Sequence, residues 1–189
     1  MQEAGCPSQF SRPGRDRAPR VEAGLVLADV DYIGSRKALT DTQKYTPYEM
    51  GLGRLVDLRK APFIGRAPLA DERARGPRRQ IVGLEVDWTG VEAVYERYEL
   101  PPVAPAAASR TAVPVMSGGR QVGRATTTAW SPTLKRLIAL ATLDAPHFRP
   151  GTSVQMEITV EGVRHFVNAT VVPTPFFQPP RKTATPPRL

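Results

Sequence analysis

Twenty prolines and fifteen glycines in a chain of 189 residues leave little room for long helices. Proline removes an amide donor and clashes with the preceding turn, and glycine carries an entropic cost in any regular interior. Short strands joined by turns are the economical alternative, and period-2 alternation marks where they lie. It appears at residues 80–87, 154–160 and 164–173, the last two separated by the turn pair Glu161-Gly162. Ser117-Gly118-Gly119 stands between apolar stretches 111–116 and 121–128 and suits the positive φ angles of a tight hairpin. Residues 134–143 read two ways: Leu134, Leu137, Ile138 and Ala141 keep a 3.6 period, while the unbroken apolar run suits a strand buried on both faces. Counting that run gives at least six strands, enough for a small antiparallel barrel or jelly roll whose closure removes exposed edges.

The expected fold is therefore mainly β, with a small α+β part at the N-terminus. Residues 1–19 show neither helical nor strand periodicity and read as an irregular leader. Residues 20–78 read as a strand over 21–30, a helix beginning after the turn at Tyr45-Thr46-Pro47, and a short helix over 62–74 stopped by Gly76-Pro77. The β domain occupies 79–178, interrupted by a Pro- and Ala-rich loop at 100–109, and 179–189 form a Pro-rich basic tail.

The net charge of +8 and pI near 10.1 call for an anionic partner or a solvated arginine-rich surface. The arginines are scattered and no aromatic-interleaved strand accompanies them, which disfavours nucleic acid and leaves small anions. One cysteine, Cys6, excludes an internal disulfide framework. His147 and His165 have no Cys or carboxylate at ligand spacing, so no metal site is assigned. Neither a phosphate-binding Gly-Lys-Ser/Thr loop nor a Ser-His-acid set can be assembled, so no catalytic residue is assigned. No apolar run approaches the ~20 residues of a membrane span, and the first residues lack the order of a secretory signal. The expectation is a soluble, cytoplasmic protein.

Three stretches in order carry a family resemblance: Arg20-Val-Glu-Ala-Gly24; residues 46–56 (TPYEMGLGRLV) leading into Phe63-Ile-Gly-Arg-Ala-Pro-Leu69; and residues 123–141 (GRATTTAWSPTLKRLIALA). Together they resemble the later part of glycine cleavage T-proteins and related folate-dependent aminomethyltransferases. The resemblance implies that 20–78 are a remnant of the folate-binding domain and that 134–143 hold a core strand of the barrel. It implies transfer of a one-carbon unit to tetrahydrofolate, with most of the pterin pocket and a catalytic carboxylate in an earlier half that has no counterpart here. The chain would then be incomplete as an enzyme, acting with a separate N-terminal half or self-associating through exposed apolar residues. Two other readings stay open, a non-catalytic binding module with a basic surface and an inactive gene fragment.

The resemblance also nominates site residues. Arg20 matches an arginine that lines the family's folate pocket, and its planar fork suits a carboxylate or carbonyl edge; the alternative is an exposed arginine with Glu22 capping a helix start. Tyr48, with Thr46 and Glu49, falls in a turn that faces the pocket in the family, although a capping role explains Thr-Pro-x-Glu equally well. Arg181, with Lys182, lies in the tail that returns towards the cofactor in the family, where a basic group would meet folate's glutamate. Arg20, Glu22, Tyr48 and Arg181 are thus the cofactor-binding candidates. Trp88 and Trp130 are either rim anchors or stacking platforms.

Overall fold

The computed structural model describes residues 17–179 and 184. Six antiparallel strands close into a barrel: β1 (Arg79–Val86), β2 (Val113–Ser117), β3 (Arg120–Ser131), β4 (Arg136–Asp144), β5 (Ser153–Val160) and β6 (Val163–Val172). Their order around the barrel is β1-β4-β3-β2-β5-β6, with β6 returning to β1. Alternate residues fill the interior: Val82, Leu84 and Val86 of β1, Leu137, Ala139, Ala141 and Leu143 of β4, and Val167, Ala169 and Val171 of β6. The hairpin at Ser117 forms as expected, with Gly118 and Gly119 both at positive φ.

The ambiguous run at 134–143 is strand β4, and the reason for its unbroken apolar character is visible in its burial. Every residue from Leu137 to Leu143 is buried. Leu137, Ala139, Ala141 and Leu143 point into the barrel, whereas Ile138 and Leu140 join Val21 and Ala129 in a second apolar cluster outside it. A strand covered on both faces shows no alternation, because no side of it meets water.

Residues 88–99, to which the sequence pattern assigns no element, contain helix α3 (Trp88–Glu96), which follows α1 (Arg17–Glu22) and α2 (Arg66–Arg75) in chain order. Asp87 caps it, its carboxylate accepting from the Thr89 amide at 3.1 Å. Val91 and Val94 sink into the barrel core, and Trp88 packs against Trp130 with ring centroids 4.8 Å apart. The two tryptophans therefore serve each other as partners.

Upstream of the barrel the expected strand over 21–30 is replaced by a short helix, α1 (Arg17–Glu22), with Pro19 in its first turn, where a missing amide costs nothing. It stops at Gly24 (φ 65°), whose amide donates to Val21 O while the Leu25 amide reaches Arg20 O, the paired bonds of a glycine-terminated helix end. The expected helix after Pro47 resolves into turns and a 3-10 turn at Gly53–Leu55, since the glycines at 51 and 53 break any longer run. Helix α2 (Arg66–Arg75) matches the short helix expected over 62–74, starting later and ending at Gly76.

Candidate functional site

Where the upstream segment meets the barrel, a carboxylate is completely enclosed. Asp31 has no solvent exposure, and a buried carboxylate requires both a counter-charge and hydrogen bonds. It receives four. Arg20 Nη1 and the Leu27 amide donate to Oδ2 at 2.7 and 2.8 Å. The hydroxyls of Thr126 and Thr127 both donate to Oδ1 at 2.7 Å. Consecutive residues of a regular strand face opposite ways, so two adjacent threonines cannot ordinarily serve one oxygen. A β-bulge makes it possible: the β3–β4 register shifts between Ala125 and Thr127, leaving Thr126 as the extra residue. Thr126 also lies 3.2 Å from Leu140 O, sharing its hydrogen between the two acceptors.

Arg20 closes the network. Its Nη1 also donates to Leu25 O at 2.7 Å and its Nη2 to Thr127 Oγ1 at 2.9 Å. The side chain is only 13% exposed, and the remaining Nε is buried and, among the described residues, has no hydrogen-bond partner. Glu22, two residues on, is buried as well. Ser131 Oγ donates to its Oε1 at 2.5 Å and Thr133 Oγ1 to its Oε2 at 3.3 Å, while its carbonyl accepts the Phe177 amide at 3.1 Å. The two candidates from Arg20-Val-Glu thus lie on one helix and fasten it to two places on β3 and the turn after it.

The candidates in the 46–49 turn form a second cluster. The Glu49 amide donates to Thr46 Oγ1 and the Thr46 amide to Glu49 Oε2, each at 3.2 Å, a reciprocal cap. Glu49 is 2% exposed, accepts Arg78 Nε at 2.9 Å and lies 3.2 Å from Arg79 Nε. Its carbonyl takes the Ile81 amide at 2.7 Å, which ties the turn to β1. The Arg79 guanidinium stacks on Tyr45 at 3.9 Å, and Tyr45 Oη meets Thr142 Oγ1 at 3.0 Å. The Tyr48 hydroxyl is buried and, among the described residues, has no hydrogen-bond partner. Arg181 and Lys182 lie outside the described residues. Arg20 and Glu22 thus share helix α1 but serve separate hydrogen-bond networks, and Tyr48 lies in the 46–49 turn that is tied to β1.

Sequence reasoning missed Asp31, and with it the meaning of the threonines. The available signal was an aspartate inside a stretch containing Leu25, Leu27, Val30, Tyr32 and Ile33, since an acid among apolar residues must find a cation when that stretch is buried. At Asp31 the charges of Arg20 and Asp31 neutralise each other and both threonine hydroxyls are committed. Among the described residues no group of three or more His, Cys, Asp or Glu side chains is placed to hold a metal, and no helix is long and apolar enough to cross a membrane.

Residues 79–178 match the glycine cleavage T-protein C-terminal barrel domain. The chain belongs to that family. An aminomethyltransferase from Thermosynechococcus vestitus is 33% identical over 165 residues, covering 87% of this chain and 37% of the relative. One from Symbiobacterium thermophilum is 37% identical over 142 residues, covering 75% and 32%. The barrel-domain chain also shares its fold with the glycine cleavage system aminomethyltransferase T of Bartonella henselae, known from a crystal structure, at a TM-score of 0.60 and 21% identity over 85% of this chain and 37% of that one. It spans about a third of the length of the curated relatives it matches.

Proposed function

We propose that this barrel-domain chain forms the C-terminal portion of a tetrahydrofolate-dependent aminomethyl or methyl transferase, acting in cytoplasmic one-carbon metabolism. The observation that carries the reading is the extent of the likeness. A 165-residue match is longer than everything from residue 79 to the end, so it continues upstream of the barrel into the segment held by Arg20 and Asp31. Tetrahydrofolate would supply the N5 amine that accepts the one-carbon unit. This chain's part is positioning, with Arg20 and Asp31 holding helix α1 and the following turn in a fixed pose against β3. Among the described residues three buried polar atoms lack a hydrogen-bond partner; Arg79 Nε has Glu49 beside it at 3.2 Å, and the other two, the Arg20 Nε–H and the Tyr48 hydroxyl, favour a ligand or partner nearby, each costing about 1–3 kcal/mol while unsatisfied. The Arg20 fork is already spent inside the fold, so it contributes one edge and no bidentate clamp. Arg181 is proposed as a contact to the glutamate end of the cofactor, and a separate N-terminal half or a second copy as the partner that completes the pocket.

Calorimetric titration with tetrahydrofolate mono- and polyglutamates tests the reading. The chain alone should bind no tighter than roughly the millimolar range, because the few charged contacts it offers are screened. Mixed with the preceding two-thirds of the Thermosynechococcus relative, it should restore aminomethyl transfer to tetrahydrofolate. Tight, salt-resistant binding by the chain alone would contradict the division of labour. Affinity for nucleic acid exceeding that for polyglutamate would favour a basic interaction module instead.

A further inference from the structure

A cleft of about 590 Å³ lies between the 3-10 turn at Gly53–Leu55 and helix α2, within the size range of small-molecule sites. Three guanidiniums line it, Arg54 and Arg59 from one side and Arg73 from the other, and the sole carboxylate in its wall is Asp57. That carboxylate is committed to Arg59, accepting from its amide at 2.9 Å and standing 3.3 Å from its Nε. The Arg59 contacts hold the Asp57 carboxyl below its ordinary range, keeping the pair neutral as a unit at physiological pH. Among the described residues, Arg54 and Arg73 have neither a hydrogen-bond nor an ion-pair partner. Other arginines here do find acceptors: Arg66 donates to Leu58 O, Arg75 to Asp71 and Arg78 to Glu49. Two like charges from elements about twenty residues apart thus converge on one concave wall, where each raises the cost of the other and an anion lowers it for both.

We propose that this cleft binds a small, multiply charged oxyanion, with Arg54 and Arg73 as its two principal contacts. Guanidinium forks recognise phosphate and carboxylate oxygens through the same paired N–H geometry, so the shared chemistry is two or more oxyanion groups within a few ångströms. A single negative charge would leave one guanidinium uncompensated. The cleft belongs to the upstream segment and makes no use of Arg20, Tyr48 or the barrel interior, so the inference stands apart from the folate reading.

The experiment is calorimetric titration of the full chain with inorganic pyrophosphate and, separately, with tricarballylate, at two salt concentrations. Either anion should bind with an affinity that falls as salt rises, and the tighter of the two names the source as phosphate or carboxylate. Arg54→Gln and Arg73→Gln together should weaken that binding ~10-fold. Both side chains are exposed and unpaired, so the melting temperature without ligand should stay where it was. Arg149→Gln, an exposed arginine outside the cleft, should change nothing. The proposal is overturned if neither anion binds at millimolar concentration, if the double variant binds as the parent does, or if Arg149→Gln loses as much as the pair.

Discussion

Replacing Asp31 tests whether the upstream segment is held by charge or only by apolar contact. Asp31→Ala removes the acceptor of four hydrogen bonds and leaves Arg20, 13% exposed, with Leu25 O and Thr127 Oγ1 as its partners among the described residues. Breaking a buried ion pair from one side costs about 3–5 kcal/mol, chiefly the uncompensated charge that stays behind. Partial access of Arg20 to water and its two surviving acceptors place the expected loss near the lower bound, about 3 kcal/mol. Asp31→Asn should lose roughly half of that, ~1.5 kcal/mol, because its carbonyl can keep Arg20 and Leu27 while its NH2 turns to the threonine oxygens. By contrast Asp71→Ala, which removes an exposed pair with Arg75, should cost about 0–0.5 kcal/mol. Two readouts are needed, since the segment can detach without the barrel unfolding: a urea transition followed by tryptophan fluorescence, and hydrogen exchange at the Leu25 amide, which bonds Arg20 O at 3.0 Å. Detachment also exposes Val21, Ile138 and Leu140, each fully buried, and a six-residue helix is too short to persist undocked, so the Leu25 amide exchanges when the segment comes away. If Asp31→Ala shifts both readouts by less than ~1 kcal/mol, or Asp31→Asn costs as much as the alanine, the charge-held junction is wrong.

Further expectations concern packing and assembly. A Cβ at Gly123 would stand 2.1 Å from Thr142 O and 2.9 Å from Leu143 Cα, so Gly123→Ala must move backbone and should cost about 3 kcal/mol in a urea melt. Gly83→Ala meets the tip of the Phe176 ring at 2.6 Å, a side chain that can swing, and should cost about 1 kcal/mol; equal losses at the two sites would refute the distinction. Ser131→Ala strips Glu22 of its 2.5 Å donor and should lower stability by about 1–2 kcal/mol, with Ser131→Thr recovering part of it. Leu39, Leu55 and Ile64 are at least 70% exposed in the upstream segment, so concentration-dependent association is expected, and a monodisperse monomer in sedimentation at high concentration would count against it.

The barrel was legible where one face of a strand meets water. β5 and β6 announced themselves by alternation, and the hairpin by its two glycines, because those signals are local. β4 needed the family resemblance, since burial on both faces erased the period, and the covering partner at Val21 is more than a hundred residues away. Helix α3 escaped notice because only Val91 and Val94 of its nine residues are buried, too thin a stripe to stand out. The short helix at the start and the turns after Pro47 were misjudged as longer regular elements, because glycines 24 and 51 act as stops through their positive φ and Gly53 lets the Tyr48 ring come close. Of the candidate site, Arg20 and Glu22 were found through resemblance, and the structure shows both engaged with β3. Asp31 was invisible in principle to motif reading, because its partners at 126 and 127 reach it only through a bulge.

That bulge divides β3 into two reading frames. Before it the odd positions, Gly123 and Ala125, pair with the inward residues Leu143 and Ala141; after it the even positions, Thr128 and Trp130, pair with the inward Ala139 and Leu137. Deleting Thr126 would allow an uninterrupted ladder in which Gly123, Ala125, Thr128 and Trp130 all keep their inward side, whereas closing the ladder with Thr126 retained would turn one half of the strand the wrong way. Substitution there costs a hydroxyl; deletion costs the hydroxyl and the bulge, and leaves the core residues where they are. Alignments of this domain are therefore best anchored separately on each side of Thr126, because a strand with or without the extra residue presents the same faces.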